Sequence, residues 1–593
     1  MSARQSLILF HPVSVVLMLV AIQVTHGFVL NEDDSGRVRQ WMISETVPTA
    51  ATNIFNPATK AIRYFLGSDG YSITNRAAEL NAIRACFDQW QSVPGTSLKF
   101  EDGGLIASGG DINTSDQTNV IYWAKESTLV NGGRDNIFGT LAVTFPHLTN
   151  NILIEADMVL NGVQFAWFTD FNATNSTEQL IEASVLHEIG HFIGLDHSPV
   201  GGATMFARGT TGIGTQAGLS GDEMAAIRAL YPASKQTGAF GKLRGQVVME
   251  GVGVFGASVL IEDSAGNLTC GTMTRSNGFY ELPQLAPGSY QVRVSPLDPP
   301  SSNSLTRLIT GSDISPAFVG AETGFLPTTN VLVSISGGRT NLLNFSVSPG
   351  VDSFRITRIV QPGTSAEDLS AINAPVTLRQ GQSNVIVGVY SPSFKSESIL
   401  RITGDGFASG PSTFIRDAFP GSNPSLNLLH MRISAGANAT PGLRSFVVQH
   451  GTNLAYANGF LEILPRFPDD NFDGLNDIFQ RRYFPLFTAR EAGPMADPDG
   501  DGFDNAHEHL AGSDPNNARS LLRIERVELT VEGSVLSWQS EPGKHYQVFS
   551  GSRFGTNAWQ AVGNPVTATA KVTTYLPIPE RTPTRFYQVQ VLP

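Results

Sequence analysis

The run HEIGHFIGLDH at residues 187–197 constrains the fold more than any other feature of the chain. On an α-helix, positions i and i+4 lie one turn apart on the same face, so His187 and His191 can present imidazole nitrogens to one metal ion. His197 can join them only if the chain turns sharply after the helix, and Gly194 can adopt the positive φ that such an exit requires. The run therefore predicts a helix, a tight turn and a metal site with three histidine ligands.

Three neutral ligands leave the fourth position of a tetrahedral zinc open for water, which is typical of a catalytic site and not of a structural one. Zinc lowers the pKa of that water towards about 7, and Glu188 is placed to accept its proton as a general base. The alternative is a surface helix that merely carries histidines. An apolar stripe on the same helix argues against it, because buried imidazoles need a partner. The stripe consists of Val185, Leu186, Ile189, Phe192 and Ile193.

The segment 187–198 resembles the long zinc signature of the metzincin peptidases, H-E-x-x-H-x-x-G-x-x-H. Ser198 after the third histidine, and Met205 eight residues beyond that histidine, are similar to the matrixin subfamily, the matrix metalloproteinases. In this family a methionine turn forms an apolar floor beneath the metal. The resemblance implies an α+β catalytic domain with a twisted mixed sheet and an active-site helix. It also implies a catalytic Zn²⁺ on the three histidines, with the adjacent glutamate as general base.

The sequence departs from the matrixin pattern in two places. Matrixins are typically kept latent by a propeptide cysteine in a P-R-C-G motif, but no cysteine lies between residue 27 and the catalytic domain. Cys86 falls within a helical pattern, where a buried core thiol is expected. His147 and Asp157 do not make up the residue set that holds the family's second, structural zinc. We therefore predict one zinc without a cysteine switch, and leave a calcium ion near Asp157 open.

Hydrophobic periodicity predicts a mixture of helices and strands around the motif. Helices are expected over 75–93, from about Ser176 to the metal ligands, and over 222–230. The second of these has a capping-box pattern at its start, formed by Ser176 and Gln179. Strands are expected at 61–67, 98–102, 120–125, 140–145 and 152–160.

A chain of 593 residues is too long for one hydrophobic core, and about 100–200 residues per domain predicts several domains. After Pro232 the helical signal fades, and apolar and polar residues alternate between Gly, Pro and Asn turns, which is typical of antiparallel sandwiches. The motifs around Gly245, Gly278 and Pro287 resemble a carboxypeptidase regulatory-like (transthyretin-like) module. The expected fold class is therefore multidomain, with an α+β metzincin catalytic domain followed by all-β sandwich modules.

The expected domain boundaries follow from these shifts in pattern. They are a signal peptide at 1–27, a matrixin-like zinc peptidase domain at 37–233, a carboxypeptidase regulatory-like β-sandwich at 243–348, a β-sandwich with a weak immunoglobulin resemblance at 351–465, a calcium-binding EF-hand-like or thrombospondin type 3-like segment at 467–516, and a C-terminal β module at 520–593. The aromatic residues of the last module are more typical of a core than of a carbohydrate site. They are Trp538, Tyr546, Trp559, Phe586 and Tyr587.

The N-terminus has the features of a secretory signal. Arg4 precedes an apolar run at 13–22, and small residues stand at the expected positions before a cleavage site after Gly27. The run is shorter than the ~20 residues that a membrane span needs, which favours cleavage over anchoring. We therefore expect a secreted, extracellular protein whose mature chain has no stable membrane span.

Residues 497–508, which we call the later loop, carry a pattern of calcium ligands. The pattern D-x-D-x-D-G at Asp497, Asp499 and Asp501 continues through the carbonyl of Phe503 to Glu508, as in the 12-residue loop of an EF-hand. The alternative is a solvated acidic linker. We predict a structural Ca²⁺ here, because the spacing places an acidic residue at the last ligand position.

A similar pattern, the earlier loop, precedes it at Asp469, Asn471, Asp473 and Asp477. It repeats the first half of the ligand set, but glutamine stands at its twelfth position instead of glutamate. Both interpretations, calcium site and acidic linker, therefore stay open for the earlier loop.

The charge balance excludes one class of partner. Lys and Arg number 39 against 52 Asp and Glu, a net charge of −13, which argues against a nucleic-acid-binding surface.

The favoured hypothesis is a secreted zinc-dependent endopeptidase that hydrolyses peptide bonds of extracellular proteins. The alternative is a non-catalytic adhesion or envelope-binding protein with a relic peptidase domain, and the intact Glu188 speaks against it. The β modules are candidates for contact with the cell envelope or extracellular matrix, and removing them is expected to spare cleavage of short peptides.

Overall fold

The structure, a computed structural model, describes most of the chain from residue 29 to residue 592. The ranges left out within it are 33–36, 44–52, 108–110, 114–115, 172, 174–176, 210–215, 234–237, 301–302, 304–306, 322–323, 351–352, 366–368, 420–421, 553–558 and 579–584. The signal peptide expected at 1–27 and the capping residue Ser176 lie outside the described residues. No helix within the described part has the length and apolar character needed to cross a lipid bilayer.

The N-terminal domain is built around one sheet. Its strands are β1 (Gln40–Trp41), β2 (Ile62–Gly67), β3 (Phe100–Ile106), β4 (Val120–Ala124), β7 (Ala142–Thr149) and β8 (Ile152–Asn161), and the short pairs beside it are β5 (Leu129–Val130) with β6 (Asp135–Asn136) and β9 (Trp167–Phe168) with β10 (Gln179–Leu180). Across the sheet the order is β3-β2-β4-β8-β7, with β1 beside the start of β8. All pairs are parallel except β7 with β8, so β7 forms an antiparallel edge. Each of the five strands expected from the sequence is present.

Three helices accompany this sheet, namely α1 (Arg76–Ser92), α2 (Ile181–Phe192) and α3 (Gly221–Leu230). The indole N–H of Trp90 on α1 donates to the carbonyl of Leu186 at 3.0 Å, and that of Trp41 donates to the carbonyl of Phe192 at 2.7 Å. Because both acceptors belong to α2, the helix that carries the first two expected ligands is fixed by buried side chains around it.

The start of α2 differs from the sequence expectation. The helix begins at Ile181 and not near Ser176, and its N-cap residue Leu180 is extended without a side-chain cap. Gln179 and Leu180 pair with β9 instead. Gln179 therefore lies in a strand and not in the first turn of the helix, because pairing with β9 outweighs the local helix propensity.

The second domain is a pair of β-sheets. Its strands are β11 (Gly241–Met249), β12 (Val252–Gly253), β13 (Ser258–Asp263), β14 (Leu268–Met273), β15 (Phe279–Leu285), β16 (Gly288–Ser295), β17 (Val331–Ile335), β18 (Thr340–Leu342) and β19 (Phe345–Val347). One sheet surrounds β11, which pairs with β12, β15, β18 and β19, and the other has the order β14-β13-β16-β17. The long connection between β16 and β17 contains α4 (Gly311–Ile314) and a 3-10 turn at Pro316–Phe318.

The third domain has the same two-sheet construction. Its strands are β20 (Arg358–Val360), β21 (Ala371–Ile372), β22 (Val376–Arg379), β23 (Val385–Ser391), β24 (Ile399–Ile402), β25 (Phe407–Ser409), β26 (Thr413–Ile415), β27 (Asn427–Ala435), β28 (Gly442–His450) and β29 (Asn453–Leu464). The sheets have the orders β21-β20-β23-β27-β25, with β26 also beside β27, and β22-β29-β28-β24. Apolar residues from both sheets share one core.

The acidic segment and the last module follow. The segment contains α5 (Asp477–Tyr483), a 3-10 turn at Arg490–Ala492 and α6 (Asn505–Ala511), and the module contains β30 (Ile524–Thr530), β31 (Gly533–Gln539), β32 (His545–Gly551), β33 (Gln560–Thr567), β34 (Val572–Ile578) and β35 (Phe586–Leu592). Two three-stranded sheets form the module, β30-β31-β34 and β33-β32-β35. Trp538 and Tyr546 are fully buried in its core, whereas the other three aromatic residues singled out in the sequence, Trp559, Phe586 and Tyr587, are half-buried.

The N-terminal domain meets both sandwiches next to the histidine motif. Five buried residues from the three domains form one apolar cluster, namely Val200, Ala203, Leu260, Leu268 and Leu443. The carboxylate of Asp222 on α3 also accepts the backbone N–H of Gly271 in the second domain at 2.9 Å. The protein thus has the expected fold class, an α+β domain followed by β modules, and its motif lies close to where three domains touch.

Candidate metal centre

The three histidines of the motif come together at the end of α2. The ring centroids of His187 and His191 are 4.9 Å apart, those of His187 and His197 are 5.1 Å apart, and those of His191 and His197 are 4.9 Å apart. One ring nitrogen from each lies within 4.8 Å of the others, a spacing at which all three could hold one metal ion. A helical i, i+4 pair and a residue from the following turn therefore form one cluster.

Backbone carbonyls fix the tautomers of two of these rings. The Nδ1 atom of His187 lies 2.7 Å from the carbonyl oxygen of Thr204, and the Nδ1 atom of His191 lies 2.8 Å from that of Leu195. A carbonyl oxygen can only accept, so each Nδ1 carries the proton and each Nε2 presents a lone pair. This is the usual arrangement of a metal-binding histidine, whose other nitrogen donates to the protein.

The two Nε2 atoms face each other at 3.2 Å. Two lone pairs at this distance repel each other unless a cation lies between them, and two nitrogens bound to one tetrahedral zinc at about 2.0–2.1 Å are separated by roughly 3.3 Å. Burial and the neighbouring imidazoles hold the pKa of His187 well below its usual range and lower that of His197 to about 3. Because the neutral form is the one that binds metals, the donor set fits zinc.

The turn after α2 depends on Gly194, as the sequence predicts. Its φ is 103°, in the left-handed region that side chains disfavour, and a Cβ atom there would lie 2.1 Å from the carbonyl oxygen of Arg39. No other residue type fits this position without moving the backbone, so Gly194 is required to bring His197 back towards α2.

Met205 lies beneath the helix that carries the ligands. Met205 is 2% exposed. Its sulfur packs so closely against Gly190 of α2 that a Cβ atom added to this glycine would lie only 2.0 Å from it. The backbone N–H of Met205 donates to the carboxylate of Glu223 at 2.8 Å, and its carbonyl accepts from Ser198 at 2.8 Å. The side chain therefore packs against α2 one residue before the ligand position His191.

Glu188 lies beside the histidines in the same cleft. The residue is 5% exposed, and its Oε2 accepts a hydrogen bond from the hydroxyl of Thr144 at 2.7 Å. Burial raises the pKa of Glu188, although His191 and the Thr144 hydrogen bond act in the opposite direction. The cleft has a volume of about 710 Å³ and is bordered by the β7 edge, by α2 and by the segment that follows Met205.

Comparison with known families agrees with this geometry. Residues 57–232 match the family model described as Matrixin. The N-terminal domain is matrixin-like. Residues 242–306 match the model of the carboxypeptidase regulatory-like domain, so both family resemblances are confirmed. A search of curated proteins gives no significant match.

Solved structures resemble only parts of this chain. A minor pilin of Streptococcus agalactiae is 11% identical with a TM-score of 0.13, over 19% of this chain and 46% of the pilin. The 5-hydroxyisourate hydrolase of Klebsiella pneumoniae is 18% identical with a TM-score of 0.12, over 18% and 86%. The major pilin subunit of Bacillus cereus is 10% identical with a TM-score of 0.14, over 38% and 70%. Similarities of this size carry no argument about function, and this chain spans less than half of the first of these proteins.

The later acidic loop brings most of its expected ligands together. Carboxylate oxygens of Asp497, Asp499 and Asp501 lie within 4.8 Å of one another, and one buried oxygen each of Asp499, Asp501 and Glu508 has no hydrogen-bond partner. Glu508 is 1% exposed, and burial raises its pKa to about 7, with the three aspartates adding to the effect. The side chain of Phe503 is exposed, and its backbone N–H donates to Asp501 at 2.9 Å.

The earlier acidic loop is arranged differently. The side-chain amides of Asn471 and Gln480 donate to the Asp473 carboxylate at 2.9 and 2.7 Å, and Asp469 accepts the backbone N–H of residue 473 at 2.9 Å. The Asp477 carboxylate accepts the backbone N–H of residue 470 at 2.7 Å. Side-chain amides thus contact the Asp473 carboxylate, whereas one buried oxygen of Asp477 has no hydrogen-bond partner.

The structure also shows what surrounds Cys86 and Asp157, two further residues considered in the sequence. Cys86 is fully buried, and its thiol faces the carbonyl of Glu182 at 3.6 Å, in agreement with a core thiol. The Asp157 carboxylate accepts the backbone N–H groups of Asn113 and Val120 at 3.0 and 2.9 Å. Both of its oxygens therefore accept backbone N–H groups.

Several residues of the site were not anticipated from the sequence. Thr144, Thr204 and Leu195 contact Glu188, His187 and His191 respectively. Two of these contacts use backbone carbonyls, which every residue type has, so the sequence contains no signal for them. A segment of the second domain also reaches the cleft and contributes residues 312 and 314–316 to its lining.

Proposed function

We propose that this protein is a secreted zinc-dependent endopeptidase that hydrolyses peptide bonds of extracellular proteins. The observation that carries the proposal is the pair of opposed Nε2 lone pairs on His187 and His191, joined by His197 and placed beside the buried Glu188. The matrixin match of residues 57–232 supports it, because zinc and peptide hydrolysis are typical of that family.

The chain's own residues account for the remaining parts of the reaction. Zinc, when bound by the three histidines, supplies a Lewis acid for water and for the peptide carbonyl. The Thr144 hydroxyl orients Glu188 by donating to Oε2 at 2.7 Å, and a backbone hydrogen bond from Thr144 adds to this. Since burial raises the pKa of Glu188 above its usual range, the carboxylate is a stronger base that can accept a proton from the attacking water and then deliver it to the leaving amine.

The edge of β7 is suited to hold an extended peptide. Residues 141–144 and 146 line the cleft, while the other edge of β7 is paired with β8. The edge of β7 away from β8 pairs with no strand of the described residues, so a substrate strand can add there through backbone hydrogen bonds, which act on any sequence, while the cleft selects side chains. This favours an endopeptidase for protein or peptide substrates.

The alternative, an adhesion or envelope-binding protein with a relic peptidase domain, would tolerate loss of the carboxylate or of one ligand. Here the ligands, the base and the groups that orient them are all present. Retaining a buried, partly desolvated Glu188 costs stability, which is difficult to explain without a role in catalysis.

Chelation tests the proposal directly. The purified chain is expected to cleave a broad library of short fluorogenic peptides, and a zinc chelator is expected to lower the rate by more than about 100-fold, since three ligands remain but the Lewis acid is gone. Added zinc should restore the rate, and metal analysis should find about one zinc per chain. If the chelated protein keeps its activity, or if the library contains no cleaved peptide, the zinc peptidase proposal is wrong.

We also propose a structural Ca²⁺ at the later acidic loop. Calcium is expected to raise the free energy of unfolding by about 2.7 kcal/mol at 100 times its dissociation constant, because it binds only the folded loop. Glu508→Gln should abolish this gain, whereas Asp473→Asn in the earlier loop should retain it. Denaturant unfolding with and without calcium measures both, and an equal gain in the Glu508 variant would contradict the site.

Secretion and contact of the β modules with a cell envelope or extracellular matrix remain part of the proposal. The apolar run at 13–22 and the small residues before position 28 support export. N-terminal sequencing of the protein from a culture medium would test both export and the cleavage position after Gly27.

A further inference from the structure

A segment of the second domain reaches the metal centre of the first. It belongs to the connection between β16 and β17 and includes α4, Ser315 and Pro316. Ser312, Ile314, Ser315 and Pro316 line the same cleft as the three histidines and Glu188. We call residues 310–316 the docking segment. The cleft is therefore composite, with walls from two domains.

The docking segment contacts the third ligand at its backbone and at its ring. The backbone N–H of His197 donates to the carbonyl of Ile314 at 3.2 Å, and the backbone carbonyl of Asp313 accepts a hydrogen bond from the His197 ring. The hydroxyl of Ser315 forms a hydrogen bond with the carboxylate of Asp196, the residue that precedes His197. Two adjacent residues of the motif are thus held by one segment of another domain.

The contact with Asp313 gives the His197 ring the same kind of hydrogen-bond partner, a backbone carbonyl, that the other two rings have. His187 and His191 each use one ring nitrogen on a backbone carbonyl of their own domain. His197 uses a carbonyl of the second domain, that of Asp313. A carbonyl that accepts the ring N–H leaves the remaining nitrogen with its lone pair for a metal, and such partners set ring orientation.

The side chain of Asp313 fixes the docking segment in place. One of its oxygens pairs with Arg208 of the first domain at 2.5 Å, and the other accepts the backbone N–H and the hydroxyl of Thr310, each at 2.8 Å. Arg208 also donates to the carbonyl of Leu308. Both members of the ion pair are mostly buried, with side-chain exposures of 20% and 15%. The carboxylate thus joins the two domains and closes the first turn of α4.

An apolar anchor adds to this ion pair. Ile314 is 1% exposed and packs in a cluster with Val29 of the first domain and with residues of the second. Val29 in turn accepts the backbone N–H of Asp196 at 2.8 Å. The segment is therefore held by burial and by charge, and it is not a loop that merely lies over the cleft.

We propose that the docking segment of the second domain positions His197, so that the zinc site is complete only when both domains are present. Asp313 is a positioning residue: its carbonyl orients the ligand ring and its carboxylate keeps that carbonyl in place. The inference rests on the proposed zinc site. It also revises the expectation that the modules after residue 233 can be removed without loss of peptide cleavage, since removal would take away the partner of the third ligand.

Zinc affinity of the full-length chain tests the proposal. Asp313→Ala is expected to weaken zinc binding by about 10–100-fold, measured by competition with a chromophoric chelator, because the orienting carbonyl is no longer fixed. Glu281→Ala is the control, since Glu281 is an ion-paired carboxylate of the same domain that is buried even more deeply than Asp313 and does not line the cleft. Its zinc affinity should stay within about twofold of the parent chain.

A double-variant cycle separates positioning from general destabilisation. In a His197→Ala background, Asp313→Ala should change zinc affinity by less than about twofold, because the ligand through which it acts is gone. Asp313→Asn, which keeps an acceptor for Thr310, should give an intermediate loss and serves if the alanine variant does not fold.

The outcomes are distinct. An affinity loss that depends on His197 supports the proposal. An unchanged affinity in both Asp313 variants, or an equal loss with and without His197, overturns it while leaving the peptidase proposal intact. A parent chain that binds no zinc overturns both.

Discussion

Replacing Glu188 with alanine is expected to lower kcat/KM for peptide cleavage by about 10²–10⁴-fold, while zinc binding is retained. Glu188 is not one of the three clustered nitrogen ligands, so its loss leaves the donor set complete. It is the carboxylate of the cleft that a Thr144 hydroxyl orients and whose pKa burial raises, as a general base requires. The loss should fall on kcat, because the proton transfer occurs only in the transition state.

The control for this variant is another buried glutamate of the same domain. Glu155 on β8 is 1% exposed and has a pKa raised to about 7, primarily by burial, but it does not line the cleft. Glu155→Gln should therefore keep kcat/KM within about twofold of the parent chain. Steady-state kinetics on one peptide and zinc analysis of each variant are sufficient. A Glu188→Ala chain with full activity would disprove the role of general base.

The local part of the site could be predicted because it depends on helix periodicity. The i, i+4 spacing places His187 and His191 on one face of α2, and the need for a left-handed residue identifies Gly194. Met205 followed from the family resemblance. These features depend on a few neighbouring residues, so the sequence contains nearly all of the information that specifies them.

The rest of the site depends on contacts between residues that are not neighbours in the sequence. The helix start near Ser176 was wrong because Gln179 and Leu180 pair with β9, and pairing partners are not visible in a local pattern. The carbonyl of Asp313 lies more than a hundred residues after His197, in a connection whose sequence resembles an ordinary loop. No residue type marks a backbone carbonyl as the partner of a ligand, so only the three-dimensional structure could identify it.

Replacing Arg481 with alanine is expected to destabilise the catalytic domain by about 3–5 kcal/mol, the largest stability effect that we expect. Arg481 on α5 forms two hydrogen bonds with Glu182, at 2.6 and 2.8 Å, although 299 residues separate them. Its guanidinium also lies 3.8 Å from the ring centroids of Phe171 and Phe487. Glu182 has a side-chain exposure of only 3%, so removal of Arg481 leaves a buried carboxylate without its partner.

The position of this ion pair extends its effect to the active site. Glu182 lies in the first turn of α2, the helix that carries His187, Glu188 and His191. The acidic segment therefore holds α2 in place through this ion pair. Arg481→Ala should lower both the temperature at which peptide cleavage is lost and the denaturant midpoint of unfolding. Activity at low temperature should change little, because no group in the cleft is altered.

A double variant distinguishes the buried charge from a general packing defect. Glu182→Leu combined with Arg481→Met removes both charges while keeping apolar volume, and it should recover most of the lost stability, since replacing a buried ion pair by apolar residues is often neutral. Arg482→Ala, at the next position of the same helix, is the surface control and should change the unfolding free energy by less than about 0.5 kcal/mol. Two results would contradict this role of the ion pair: a loss of unfolding free energy in Arg481→Ala as small as in the control, or a double variant as unstable as the single one. In either case, apolar packing alone would have to hold the acidic segment against α2.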